Sequence, residues 1–163
     1  MTFQVQDLNY VRKVSDSFNC QQFMHTLGAD LVRVEPGFCE IRLPFKPELG
    51  QQDGYFHAGV ITTLADNASG YAAFSLMAPD ATVLTVEFKM NFLAPGDGNA
   101  LIARGQVIKA GRTLTICRSE VFNLKQDRED LCATALLTMM ALAGKGKDAV
   151  CSGEDRYPCP LPP

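Results

Sequence analysis

Tryptophan is absent from the 163-residue chain, and histidine occurs only at His25 and His57. None of the six cysteines (Cys20, Cys39, Cys117, Cys132, Cys151, Cys159) falls in a Cys-x-x-Cys pair, and neither histidine stands at zinc-ligand spacing from one. No metal site is therefore expected. There is no basic excess: 15 Lys and Arg against 18 Asp and Glu give a net charge of −3. A nucleic-acid partner, which needs a basic face, is not expected. The opening stretch MTFQVQDLNYVRKVSDSF has no apolar core and does not read as a secretory signal. The cysteines are accordingly expected to be reduced, mostly buried thiols in a cytoplasmic protein. Ala58 to Ala78 is the one segment that raises a membrane question. It carries Thr62, Thr63, Asp66, Asn67, Ser69, Gly70 and Ser75, too many polar groups for a lone span.

What is present is ordinary globular chain. Apolar residues make up 47% and charged residues 20%, which excludes disorder and collagen-like order. The length sets one core. Leu8, Val11, Val14, Phe18 and Phe23 recur near helical spacing, so a helix is expected from about Leu8 to Leu27 with Gly28 as its stop. Residues 30–35 and 38–45 alternate about Pro36-Gly37 and predict a hairpin. Gly59 to Met77 (GVITTLADNASGYAAFSLM) is apolar on most faces and rich in small residues. That pattern predicts a helix buried nearly all round and ended by Pro79.

The period then changes to two. Leu84, Val86, Phe88, Met90 and Phe92 alternate with polar residues and predict a half-buried strand. Strands are expected at 100–109 and 113–124 about Ala110-Gly111-Arg112, with a charged turn over 125–130. A last strand over 131–142 is expected to be buried on both faces. Residues 144–163 are rich in Gly, Pro and charge and predict a loosely docked tail. The expected division is a helical segment at 1–28, one domain at 29–143 and the tail at 144–163. One buried helix and about six antiparallel strands predict an α+β fold in which the sheet curls around the helix.

Two features of the long helix bear on chemistry. His57-Ala58-Gly59 opens it, and helix starts present unpaired N–H groups and partial positive charge. Taken alone, His57-Ala58-Gly59 is more simply a capped helix start with a packed His57, since helix starts are common and few bind ligands. Asp66 is the lone carboxylate on the helix, costly to ionise unless paired or hydrated. It is either a structural acid satisfied by hydrogen bonds or a catalytic one. At 1.5 Å per residue, Asp66 lies about 12 Å along the axis from Ala58. If both act on one carbonyl, they must come from two copies of the chain with helices side by side and antiparallel.

The stretch GYFHAGVITTLADNASGYAA, Gly54 to Ala73, resembles the HGG…LAD…GYA signature of hotdog-fold acyl-CoA thioesterases, most nearly the PaaI-like branch. The resemblance implies the hotdog fold and a site shared across a dimer. In that family the residue after the motif histidine lends its amide to the thioester carbonyl; here that is Ala58, where glycine is usual. The acid on the helix, as nucleophile or general base, matches Asp66. Gln51, six residues before His57, matches a position that orients carbonyl or water. Thr85 matches a strand hydroxyl that assists from the partner side.

His57, Gly59, Asn67, Tyr71 and Arg112 are expected at the substrate, the acyl group pointing toward Tyr71 and Phe74. Arg112, Lys89 or Arg104 are candidates for the CoA phosphates. The resemblance further implies hydrolysis of an acyl-CoA to a carboxylic acid and CoA without cofactor, by a homodimer stacked into a homotetramer. Two other readings remain open. One is a hotdog hydratase or dehydratase with His57 as base. The other is an acyl-CoA-binding protein without turnover.

Overall fold

The computed structural model describes residues 3–126 and 128–144. The expected tail, apart from Gly144, lies outside them. The elements are α1 (Tyr10–Asn19), α2 (Gln22–Leu27), β1 (Asp30–Glu35), β2 (Phe38–Pro44), α3 (Ala58–Phe74), β3 (Thr82–Phe92), β4 (Ala100–Ala110), β5 (Leu114–Lys125) and β6 (Arg128–Leu142), with one 3₁₀ turn at Pro47–Leu49. The strands form one antiparallel sheet in the order β1-β2-β4-β5-β6-β3.

The sheet turns one face to α3. Cys39, Ile41 and Leu43 on β2, Leu101 and Ala103 on β4, Cys117 and Val121 on β5, and Ala135, Leu137 and Met139 on β6 are all buried there. Each aliphatic side chain of this size contributes about 1.5–3 kcal/mol by leaving water. The helix comes unusually close to β4. A Cβ on Gly105 would lie 2.2 Å from the Ala68 carbonyl oxygen, so only glycine fits at that crossing. The small residues read from the α3 sequence meet their counterpart there.

The helix keeps a half-open side made of Thr62, Thr63, Asp66, Asn67 and Gly70, while Ile61, Leu64, Ala65, Ala68 and Ala72 are buried. It ends at Phe74, earlier than the expected Met77. Ser75 stops it: its hydroxyl donates to the Ala72 carbonyl at 2.7 Å and accepts the Gly37 amide at 2.8 Å, tying the helix end to the β1–β2 turn.

Further expectations need correction. The first helix is two, broken at Cys20-Gln21, because Val14, Phe18, Met24 and Leu27 face the core and Phe18 and Met24 are six positions apart, off helical spacing. β6 begins at Arg128, not Leu131, after a tight turn at Gln126 with φ of 45°. It is buried on one face only, since Leu131 and Leu136 are 40% and 53% exposed. Finally, Cys39, Cys117 and Cys132 are buried free thiols, but Cys20 is disulfide-bonded, so a fully reduced set does not hold.

Candidate active site

α3 supplies both reactive features, one at its start and one at mid-helix. At its start, His57 adopts an extended backbone (φ −62°, ψ 139°) and its Nδ1 accepts the Gly59 amide at 2.9 Å. Accepting at Nδ1 leaves the neutral ring's proton on Nε2. Gly59 permits this because a Cβ there would crowd the imidazole at 3.0 Å. The Val60 and Ile61 amides donate to the His57 carbonyl at 2.9 and 3.2 Å. Of the first-turn amides only that of Ala58 has no partner among the described residues, and Ala58 is exposed. An unpaired amide at a helix start is a ready donor to a polarised carbonyl oxygen.

Two turns along, Asp66 is half-buried and Thr85 of β3 donates its hydroxyl to Asp66 Oδ1 at 2.7 Å. Thr85 thus stands beside the carboxylate of its own chain, held also at 3.6 Å from the Met139 sulfur. Burial pushes the Asp66 carboxyl above its ordinary value, and the Thr85 hydrogen bond works against that rise. No cation among the described residues lies within ion-pair distance of Asp66.

Asp66 opens onto a cavity of about 470 Å³ that runs along α3 between α1 and the start of β3. Asn67, Gly70, Tyr71 and Phe74 follow Asp66 along its wall. Asn67 donates to the Thr63 carbonyl at 3.0 Å. Tyr71 is buried, edge-on to Phe18 at 5.7 Å, and its hydroxyl reaches Gln21 Oε1 at 3.5 Å. Burial raises the Tyr71 phenol's pKa, against the Ser17 hydrogen bond.

The other expected residues are scattered. The Gln51 side chain engages its own loop through Asp53. Arg112 is exposed in the β4–β5 turn. Lys89 donates to Asn91 at 2.8 Å. Arg104 is withdrawn as a phosphate ligand. It is locked to Glu40 at 2.6 Å and to Glu129 at 2.6 and 2.7 Å, and those carboxylates raise its pKa further.

Sequence reading missed α1. Its Lys13 and Ser17, with Gln21 at the start of α2, line the cavity. Lys13 pins α1 to the end of α3, donating to the Met77 and Ala78 carbonyls at 2.7 and 3.2 Å beside Asp7, its pKa lowered by burial. The available signal is the amphipathic pattern of α1 itself. Among the described residues no cluster of three His, Cys, Asp or Glu could hold a metal, and no helix is long and apolar enough to cross a membrane.

A curved antiparallel sheet around one buried helix, with an acid at mid-helix and an unpartnered amide at its start, is the architecture of a hotdog domain. The family model described as Thioesterase superfamily matches residues 53–129. The 1,4-dihydroxy-2-naphthoyl-CoA hydrolase of Listeria monocytogenes is 30% identical over 91 residues, covering 56% of this chain and 74% of that protein. The crystal structure of a thioesterase family protein from Silicibacter pomeroyi is 47% identical with a TM-score of 0.81, over 83% of this chain and 99% of that one. The Escherichia coli PaaI protein shares the fold with a TM-score of 0.76 at 20% identity, over 85% of this chain and 97% of that one. The chain belongs to the thioesterase superfamily.

Proposed function

We propose that the protein hydrolyses acyl-CoA thioesters at a site built from two copies of the chain, as a cytoplasmic enzyme. The carrying observation is the pairing of an unpartnered Ala58 amide with a Thr85-held Asp66 that faces a cavity, too far apart on one helix to share a carbonyl. The Ala58 amide and the α3 start stabilise the oxyanion that forms when the thioester carbonyl is attacked. Asp66 of the other copy either attacks the carbonyl carbon, giving an anhydride that water then cleaves, or takes a proton from the attacking water. In both routes the C–S bond breaks, CoA leaves as the thiol and the acid is released. The steps as written need neither metal nor cofactor. The acyl group occupies the cavity along Asn67, Tyr71 and Phe74. Arg112, without an ion pair among the described residues, is the remaining arginine candidate for the CoA phosphates.

β3 supports the two-copy arrangement. It is the sheet's edge, and Leu84, Val86, Phe88 and Phe92 are 51%, 53%, 49% and 50% exposed. A long apolar edge strand is an aggregation template unless something pairs with it. A second copy laid antiparallel would cover it. On the outer sheet face, Leu84, Met140 and Leu114 form one apolar row across three strands, which supports stacking of two dimers into a tetramer.

The hydratase reading needs a free imidazole, and the His57 ring is engaged in capping α3. Thiol release from a panel of acyl-CoA thioesters tests the proposal. Asp66→Ala is expected to lower turnover by about 10²–10⁴-fold while the protein stays folded. Undiminished turnover removes Asp66 from the mechanism, and loss of enoyl absorbance without thiol release would favour the hydratase.

A further inference from the structure

Asn123 is a polar side chain where β5 otherwise presents its core face, and it is 2% exposed. Its two ends are both used on the turn between β3 and β4. Oδ1 accepts the Gly98 amide at 3.3 Å, and Nδ2 donates to the Pro95 carbonyl at 2.8 Å. One side chain therefore clamps both ends of residues 95–98. The turn is pressed on the start of α3. The Gly96 carbonyl accepts the Phe56 amide at 2.7 Å, and a Cβ on Gly96 would stand 3.0 Å from both Phe56 Cβ and Ile61 Cδ1. Phe56 is buried edge-on to Phe45 at 4.9 Å and lies two residues before Ala58. Burying an amide side chain against an apolar sheet face costs free energy unless every bond is made, so this clamp is a specific arrangement rather than filler.

We propose that Asn123 is a positioning residue for the Ala58 amide, acting through the 95–98 turn and Phe56. This rests on the thioesterase reading above. An amide displaced by about 1 Å from the developing oxyanion costs on the order of 10²-fold in rate while substrate binding elsewhere is kept.

The test compares Asn123→Ala and Asn123→Asp with Val121→Ala, a cavity two residues along the same strand that leaves both Asn123 hydrogen bonds in place, and with Asp66→Ala. Asn123→Ala is expected to lower kcat about 10–100-fold with KM for the acyl-CoA within a few-fold. Asn123→Asp keeps the acceptor for Gly98 but lacks the donor for Pro95, and should fall similarly. Val121→Ala, even at an equal loss of Tm, should keep kcat. The backbone amide resonances of Gly96 and Ala58 should move in both Asn123 variants and stay in Val121→Ala. Should Asn123→Ala not fold, Asn123→Asp carries the test.

Equal kcat in the Asn123 and Val121 variants at matched Tm, or unmoved Ala58 and Gly96 resonances, overturns the positioning role even where Asp66→Ala is inactive. An active Asp66→Ala protein overturns the site reading instead, and the resonances still decide whether Asn123 sets the amide.

Discussion

Asp66 shows how one hydrogen bond and one degree of burial set a group's chemistry. A carboxylate that attacks or accepts a proton must be ionised, so activity is lost on acidification, with a midpoint above the ordinary value of 3.8 because burial raises it. Thr85 holds that midpoint down by donating to the charged form. Thr85→Val is therefore expected to move the acid limb of kcat/KM to higher pH, and Thr85→Ser to leave it in place. An unmoved limb in Thr85→Val would detach the hydroxyl from Asp66.

The same shift links to stability. The folded chain holds a proton on Asp66 at pH values where the unfolded chain has lost it, so this group's contribution falls as pH rises from 3.8 through the raised folded value. Asp66→Asn should melt above wild type in neutral buffer and level with it in acid below that window. Of these details the sequence showed a lone acid on an apolar helix. Its partner Thr85 came only from family likeness, because a residue 19 positions away on another element leaves no local pattern. Asn123 left none either; an inward polar residue in an alternating strand becomes informative only when both of its bonds are seen.

At the scale of the element, the start of α3 separates backbone from side chain cleanly. Ala58 is the first helical residue and follows an extended His57, a backbone that accepts proline without strain. Ala58→Pro removes the unpaired N–H and leaves the helix start intact. It is expected to cut kcat about 10²–10³-fold with Tm unchanged or raised. Retained kcat in a well-folded Ala58→Pro protein would mean that the amide does not polarise the carbonyl.

The α3 element was legible because its composition is unusual: small residues, one charge and no proline over its length. Strand positions were legible from their period of two. The break between α1 and α2 was not, because Leu8, Val11 and Phe23 continue the apparent stripe yet are exposed. The α1 contribution to the cavity was hidden for a related reason. Nothing local marks Lys13, Ser17 and Gln21 as cavity residues until Tyr71 and Phe74 are seen opposite them.

For the whole molecule, the half-exposed face of β3 is the largest departure from the half-buried strand that alternation predicts. Alternation identifies a face that must be covered but not the chain that covers it. A bulge between Thr85 and Glu87 further shifts which residues share a face, placing Thr85 and Phe88 on the core side opposite Met139 and Leu137. Val86→Lys, a charge on the uncovered edge, is expected to give a monomer by analytical ultracentrifugation and to lose hydrolysis with it. A monomer of full activity would place the whole site in one chain.

The division of the site between copies is tested most directly by mixing two inactive proteins. Asp66→Ala and Ala58→Pro homodimers should each be inactive. Dissociated and reassociated together at equal amounts, they form about half mixed dimers, each with one site intact and one doubly defective, so thiol release should return to about a quarter of wild type. No recovery in a mixture shown to contain mixed dimers would contradict a site shared between two chains.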